Sequence, residues 1–246
     1  MSKIFKYELK RLLLNKFYIS LLIINGIFAW YVLSSEIILG VAFTAPFSSW
    51  SFGAYLAWIM PMAMLTTLFL LSFYYSKNER QVEVLTMATP VDRIKYAMIR
   101  NTVVTLGFLL VCIVAFGLSI FFYASLFGYI ALAAFVLPAI ITIVPGFILF
   151  MGLGSFVGRI NPGFLYVLIP ISFIMGFVQQ PLALDIFGGG YYSNFPLTLP
   201  VGLDGEPAFV LSASFIVTRT LYLIIGGLLW VGGHPYGLMK KVQNLH

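Results

Sequence analysis

Charge is what this sequence has least of. Asp, Glu, Lys and Arg make up 9% of its 246 residues while 61% are hydrophobic; an ordinary soluble domain carries about 25% charged residues. A soluble chain this apolar would lack the polar surface that keeps a protein dispersed. Cysteine is nearly missing as well. Cys112 stands alone inside an apolar run, which excludes an internal disulfide and leaves it as a small core hydrophobe. The histidines are His234 and His246, both near the end of the sequence, so the apolar segments hold no His-based metal site. No G-x-x-x-x-G-K-[ST] phosphate loop occurs, and neither does H-E-x-x-H or G-x-S-x-G. The chain therefore carries no P-loop ATP site and no zincin or nucleophile-elbow signature; it does not read as an enzyme. Ser and Thr are scattered through the apolar runs, where they bond to their own helix backbone. Acidic residues are absent from the middle of those runs, which argues against a proton-coupled secondary transporter.

What is abundant is apolar length. Six runs, each of about the 20 residues that cross a hydrocarbon core, cover residues 17–39, 53–75, 101–123, 129–157, 164–181 and 209–231. The expected fold is an all-α integral membrane bundle of six transmembrane helices, residues 17–246 forming one domain after an N-terminal helix over residues 1–16. The fourth run carries Pro138 and Pro145, and proline inside a helix removes a hydrogen bond and bends it.

The net charge of +6 resembles a nucleic-acid signal, but its distribution excludes nucleic acid as the partner. Every Lys and Arg except Arg219 falls before the first run, between the second and third, between the fourth and fifth, or after the sixth. The alternate loops 40–52, 124–128 and 182–208 hold none. Positive-inside bias makes the basic side cytoplasmic and places both termini there. The expected location is the cell membrane of a bacterium, multi-pass. A basic head before an apolar stretch also resembles a secretory leader. The stretch is too long for a leader core and no small-residue cleavage site follows it, so it is read as retained.

Residues 3–16 are amphipathic. Phe5, Leu9, Leu12 and Leu13 share one helical face with Lys3, Lys6 and Lys10 on its flank. This predicts a helix in the membrane interface, apolar face in lipid and lysines toward anionic headgroups. The plainer alternative is a simple extension of the first span.

Residues 76–100 form the only long polar segment. Ser76-Lys77-Asn78-Glu79 fits a capping box. Thr89-Pro90-Val91-Asp92 fits a second, with proline at the first helical position. The expectation is a short helix, a break at Thr89–Pro90, then a helix running into the third span. Glu79, Arg80 and Glu83 among Val82, Val84, Leu85 and Met87 make a mixed surface that suits either a docked soluble partner or a solvated connector.

Here the sequence resembles the permease subunits of ABC-2 type ABC transporters, over nearly its whole length. Those chains have about six spans, an N-terminal interfacial helix and a cytoplasmic segment after the second span. That segment carries a basic-acidic pair, a Glu and a Leu, a Thr-Pro or Ser-Pro step and further basic residues. The matching residues are Glu79, Arg80, Glu83, Leu85, Thr89, Pro90 and Arg93; Gln81-Val82 stand where the family often has Gly-Thr. The resemblance implies that Glu79, Arg80, Val82, Glu83, Leu85, Met87, Thr89 and Pro90 form a coupling helix against a P-loop ATPase subunit. That partner would hold ATP and magnesium, this chain having no cofactor of its own. A second permease copy or paralogue would complete the path. The implied function is export, with a lipophilic or amphipathic cargo such as a peptide or drug. A membrane immunity or sensor subunit, or an ATP-independent channel, are the rival readings.

Arg219 is the one basic residue inside an apolar run. Such a charge faces the bundle or a wet cavity, either on a pathway or in an interhelix ion pair with Glu36 or Asp185. A later start of the last span would put it near the outer interface instead. The loop 182–208 is rich in Gly, Pro and aromatics. It is too apolar for free solvation, and the family resemblance implies a re-entrant element there, with Tyr191, Tyr192 and Phe195 in the aromatic belt. The alternative is a loop that merely caps the bundle. The topology has a direct test. With Cys112 replaced, single cysteines at Ser49 or Ser193 are expected to react with an impermeant thiol reagent in intact cells, and cysteines at Ser76 or Gln243 are not. Reaction of position 243 from outside sinks the even span count.

Overall fold

A computed structural model describes residues 2–76, 79, 93–178, 181–202 and 205–232. The elements are α1 (Ser2–Leu13), α2 (Lys16–Val32), extended by a π-turn at Leu33–Ile37, α3 (Ser49–Tyr74), α4 (Arg93–Phe127) and α5 (Ala133–Ile160). They continue with α6 (Gly163–Phe177), the short α7 (Gly189–Asn194), which runs into a 3-10 turn at Phe195–Thr198, and α8 (Ala213–Gly232). Among the described residues the only extended pairing is an isolated bridge between Val201 and Pro207. The protein is thus an all-helical, multi-pass membrane protein. Five helices are long and apolar enough to cross a bilayer: Lys16–Ile37, Ser49–Tyr74, Lys95–Phe127, Ala133–Ile160 and Ala213–Val231.

The fifth apolar run behaves differently from its expected length. Its helix stops at Phe177 after 15 residues, about 22 Å at 1.5 Å per residue, short of a hydrocarbon core of about 30 Å. Val178 turns the chain into extended backbone, with φ −96 and ψ 132. The second helix begins four residues before the expected Gly53, because Ser48 caps it by accepting from Ser51 N at 3.1 Å. The third is helical from Arg93, as a helix running into that span requires. Its predicted start at Thr89–Pro90 lies outside the described residues.

α3 is the post of the bundle. Of its most apolar window 72% is buried, against 22% for α8, so α3 packs on several sides while α8 offers most of its surface to lipid. Helices here meet through single hydrogen bonds and close backbone approach, as expected where lipid removes most of the hydrophobic drive to associate. Asn25 Nδ2 on α2 donates to Thr66 Oγ1 on α3 at 2.8 Å. Tyr55 OH on α3 donates to Ala115 O on α4 at 2.8 Å, and Tyr18 OH to Gly107 O at 2.7 Å. α5 and α8 pack backbone to backbone: a Cβ added at Gly152 would fall 2.1 Å from Gly226 O, and one at Gly226 would fall 2.6 Å from Ile148 O.

The α1 apolar face goes elsewhere than expected. Leu12 and Leu13 are buried in the bundle core, and Phe5 and Leu9 pack against it, while Lys3, Lys6 and Lys10 are exposed. The face that was assigned to lipid is covered by protein; periodicity reports that a face is apolar, not which apolar medium covers it.

The α5–α8 contact yields a matched pair of variants. Gly226→Ala forces two backbones apart and is expected to lower stability by about 1–3 kcal/mol or more. Gly227→Ala meets nothing within 4 Å and is expected to be neutral or to gain up to about 1 kcal/mol of helix propensity. Thermal unfolding of the two proteins in one detergent checks the difference; equal behaviour removes the close-packing account.

Candidate functional site

Two polar clusters close the two ends of the bundle. The first lies at the end that carries Lys16 and Arg159. Glu8 on α1 is 2% exposed, far too little for a lone carboxylate to be tolerated. Its Oε2 accepts from Arg11 Nη2 at 2.8 Å and its Oε1 from Tyr96 OH at 3.3 Å. Arg11 also reaches across to Glu79, Nη1 to Oε1 at 2.9 Å and Nη2 to Oε2 at 3.0 Å. That two-point fork is the geometry a guanidinium supplies and an ammonium cannot. Burial works to lower the Arg11 pKa, but Glu8 and Glu79 outweigh it and hold it above its ordinary value, so Arg11 keeps its charge throughout the physiological range. Beside it, Arg100 on α4 stacks over the Tyr74 ring at 4.1 Å and donates to Tyr74 O, capping the last turn of α3 with a cation as the helix dipole favours.

Glu79 therefore sits in contact with α1 rather than on an open face. Ser76 Oγ accepts from Glu79 N at 3.4 Å, the first half of the expected capping box. Arg80, Val82, Glu83, Leu85, Met87, Thr89 and Pro90 lie outside the described residues. The sequence reading missed Glu8 and Arg11 as partners. The available signal was an acid at position 8 among apolar and basic residues of one amphipathic helix.

The second cluster lies at the opposite end. The turn before α7 is built on Asp185, whose Oδ1 accepts from Gly188 N at 2.8 Å and Oδ2 from Tyr191 N at 3.0 Å. Gly188 has φ +88, a left-handed conformation that glycine adopts readily. Arg219, 4% exposed, donates Nη2 to Asp185 O at 2.9 Å and Nη1 to Ile186 O, and lies over the Phe215 ring at 4.3 Å. Tyr222 OH adds a bond to Ala183 O at 2.6 Å. Arg219 thus binds the main chain of the 181–187 turn and not a carboxylate. The expected pairing with Glu36 is not made: Glu36 is exposed on the π-turn, while Arg219 is enclosed beneath the turn. Arg219 itself is buried six residues into α8.

The aromatics of this loop are also placed differently from a belt. Tyr191 is 5% and Tyr192 0% exposed. Tyr191 stacks on Phe215 at 3.8 Å, and Tyr192 OH shares a 2.8 Å hydrogen bond with Thr142 on α5. Gly53 on α3 makes room for the Tyr192 ring, which a Cβ would meet at 2.4 Å. The short helix is keyed into the bundle because aromatic rings with hydroxyls find both apolar contact and a partner there. Comparison with protein-family models, with characterised proteins and with solved structures gives no match to this chain.

Arg219 has a clear test. Arg219→Leu leaves two buried carbonyls without donors, each worth about 1–3 kcal/mol, so the purified protein is expected to unfold at a markedly lower temperature. Arg219→Lys keeps the charge but loses the fork and is expected to fall between. Wild-type unfolding of Arg219→Leu would show that the turn holds without it.

Proposed function

We propose that this chain is the transmembrane permease subunit of an ATP-driven ABC exporter. In this reading both termini are cytoplasmic, α6 with the residues after it completes a sixth crossing, and two such chains enclose the path in a bacterial cell membrane. Each docks on a separate P-loop ATPase that binds ATP and magnesium. The cargo is amphipathic or lipophilic, a peptide or drug, in keeping with the apolar and aromatic character of the helices.

The observation that carries the reading is the segment that opens with Glu79. Its residues resemble an ABC-2 coupling helix, and its first described helical residue is gripped by Arg11. A push on this segment would be transmitted to α1, which packs along α4, and α4 is tied to the end of α3 through Arg100 and Tyr74. A short helix with anchored ends passes rigid-body motion to the elements that hold it. In the proposed complex, Arg80 and Glu83 supply charge complementarity, and Val82, Leu85 and Met87 the apolar contact.

The test pairs two measurements on one variant. Glu83→Lys combined with Leu85→Asp is expected to reduce ATPase co-purification by at least about tenfold, as a few kcal/mol of interfacial repulsion and lost contact requires. Insertion into the membrane should stay normal. If wild-type protein captures no ATPase, or the double variant captures it as well as wild type, the exporter reading fails and an immunity subunit, sensor or channel takes its place.

A further inference from the structure

The turn between α2 and α3 holds an unusual backbone arrangement. Ala42 and Phe43 are consecutive non-glycine residues with φ +54 and +62. A bulky side chain in the left-handed region is an outlier, and such conformations persist only where the surroundings impose them. The surroundings here are a dense set of hydrogen bonds. Val41 N donates to Ser51 Oγ at 3.0 Å and Thr44 N to Val41 O at 3.0 Å. Thr44 Oγ1 donates to Val41 O at 2.6 Å and accepts from Ser48 Oγ at 2.9 Å. Ala45 N donates to Glu206 Oε1 at 2.6 Å, tying the turn to the loop before α8.

This rigid knot directs two large apolar side chains outward. Phe43 is 94% and Leu39 87% exposed. The hydrogen bonds hold the backbone of Phe43, while its ring gains almost no packing inside the chain and meets whatever lies outside it. The position says what that is. The stretch Lys16–Ile37 has 22 residues, about 33 Å of helix, so residues 38–43 come at the far edge of a hydrocarbon core of about 30 Å. The stretch 38–49 contains no charged residue. The exposed side chains of Ile23, Ile27 and Tyr31 on α2 lead toward it, and the exposed Ser34, Ser35 and Glu36 that follow suit the level of the headgroups.

We propose that Phe43 and Leu39 form a preset hydrophobic prong that inserts into the acyl-headgroup boundary of the bilayer leaflet at this end, fixing the height of the α2–α3 hairpin. The occupant of this surface is lipid. Burying a ring of this size in an apolar medium is worth about 1.5–3 kcal/mol, the same order as the strain of a residue held in a sparsely populated region, about 1–3 kcal/mol. The inference uses only the membrane class of the fold and stands apart from the exporter reading.

The experiment is spin-label accessibility in protein reconstituted into phosphatidylcholine vesicles. A nitroxide is attached through Phe43→Cys in a Cys112→Ala background, with Ile27→Cys as the lipid control and Lys3→Cys as the polar control. At position 43 collisions with dissolved oxygen should exceed those with a water-soluble nickel chelate, as at position 27 and opposite to position 3. Chelate-dominated relaxation at 43 would place the prong in water and overturn the proposal. Spin–spin broadening that disappears on dilution with unlabelled protein would assign the surface to a second copy and overturn it too. Leu39→Cys gives the same reading if the first variant does not fold. Phe43→Ala supplies an independent arm, because it removes the ring and keeps the left-handed strain. In vesicles its melting temperature should fall below wild type; an equal or higher value means the ring gains nothing from the bilayer.

Discussion

A polar group inside hydrocarbon has no water to fall back on, and each one left unsatisfied costs several kcal/mol. That constraint explains why the described chain is helical and why its side-chain polar groups turn inward or back on themselves. The hydroxyls of Thr66 and Thr67 return to carbonyls one turn earlier on α3, at 3.1 and 2.9 Å. Asn25 does the same to Leu21 O at 2.8 Å with one of its two hydrogens and spends the other on Thr66. What fixes the relative positions of the helices is therefore a small number of directional contacts added to close packing. Gly152 and Gly226 let two backbones touch, and Gly53 admits a tyrosine ring.

The same constraint governs both ends, where helices terminate and carbonyls lose their partners. Arginine answers it three times. Arg100 and Arg219 bond main-chain carbonyls, at Tyr74 and at Asp185 with Ile186. Arg11 instead holds two carboxylates. The difference follows from the setting. Glu8 and Glu79 belong to separate segments, and bringing two carboxylates together near the boundary requires a cation between them. At the far end Asp185 is already occupied by the amides of its own turn, which leaves its carbonyl for Arg219. A planar fork serves both cases, and a lysine at position 11 or 219 would lose that two-point geometry.

The apolar runs and the distribution of charge made the helix order and the membrane class legible, because both follow from composition within one short window. The capping serine at Ser76 was legible from the Glu three residues on, whereas the one at Ser48 was not read and moved the helix start four residues ahead of Gly53. Partnership was not legible. The apolar face of α1 could be covered by lipid or by α4, and both media select the same residues. Tyr191 and Tyr192 have the amphipathic character of interfacial residues, and the same character suits a buried ring with one hydroxyl acceptor. Arg219 demanded acceptors, and the sequence offered the acids Glu36 and Asp185; nothing in it signals that backbone carbonyls of a turn would serve instead. The shortness of α6 was hidden because the apolar run continues through Val178 after the helix has ended.

On the proposed reading, a displacement applied at Glu79 reaches the other end through the helices that follow or touch α1, and α3 and α4 are the two that Arg100 joins. α3 is the better carrier of the two in one respect and the worse in another. It is buried along most of its length and held at both ends, at Tyr74 by Arg100 and at Trp50, whose indole donates to Pro207 O at 3.1 Å. Yet Pro61 interrupts it near the middle, and a proline removes the hydrogen bond that would make the two halves one rod. α6 presses on that point: a Cβ added at Gly176 would fall 2.0 Å from Pro61 Cγ. On that reading α3 would transmit motion as two segments meeting at Pro61, the point against which α6 packs. On that reading, motion of the half near Tyr74 would have to pass the Pro61–Gly176 contact, and α6, 15 residues long, would bear on how the two ends of the bundle are coupled.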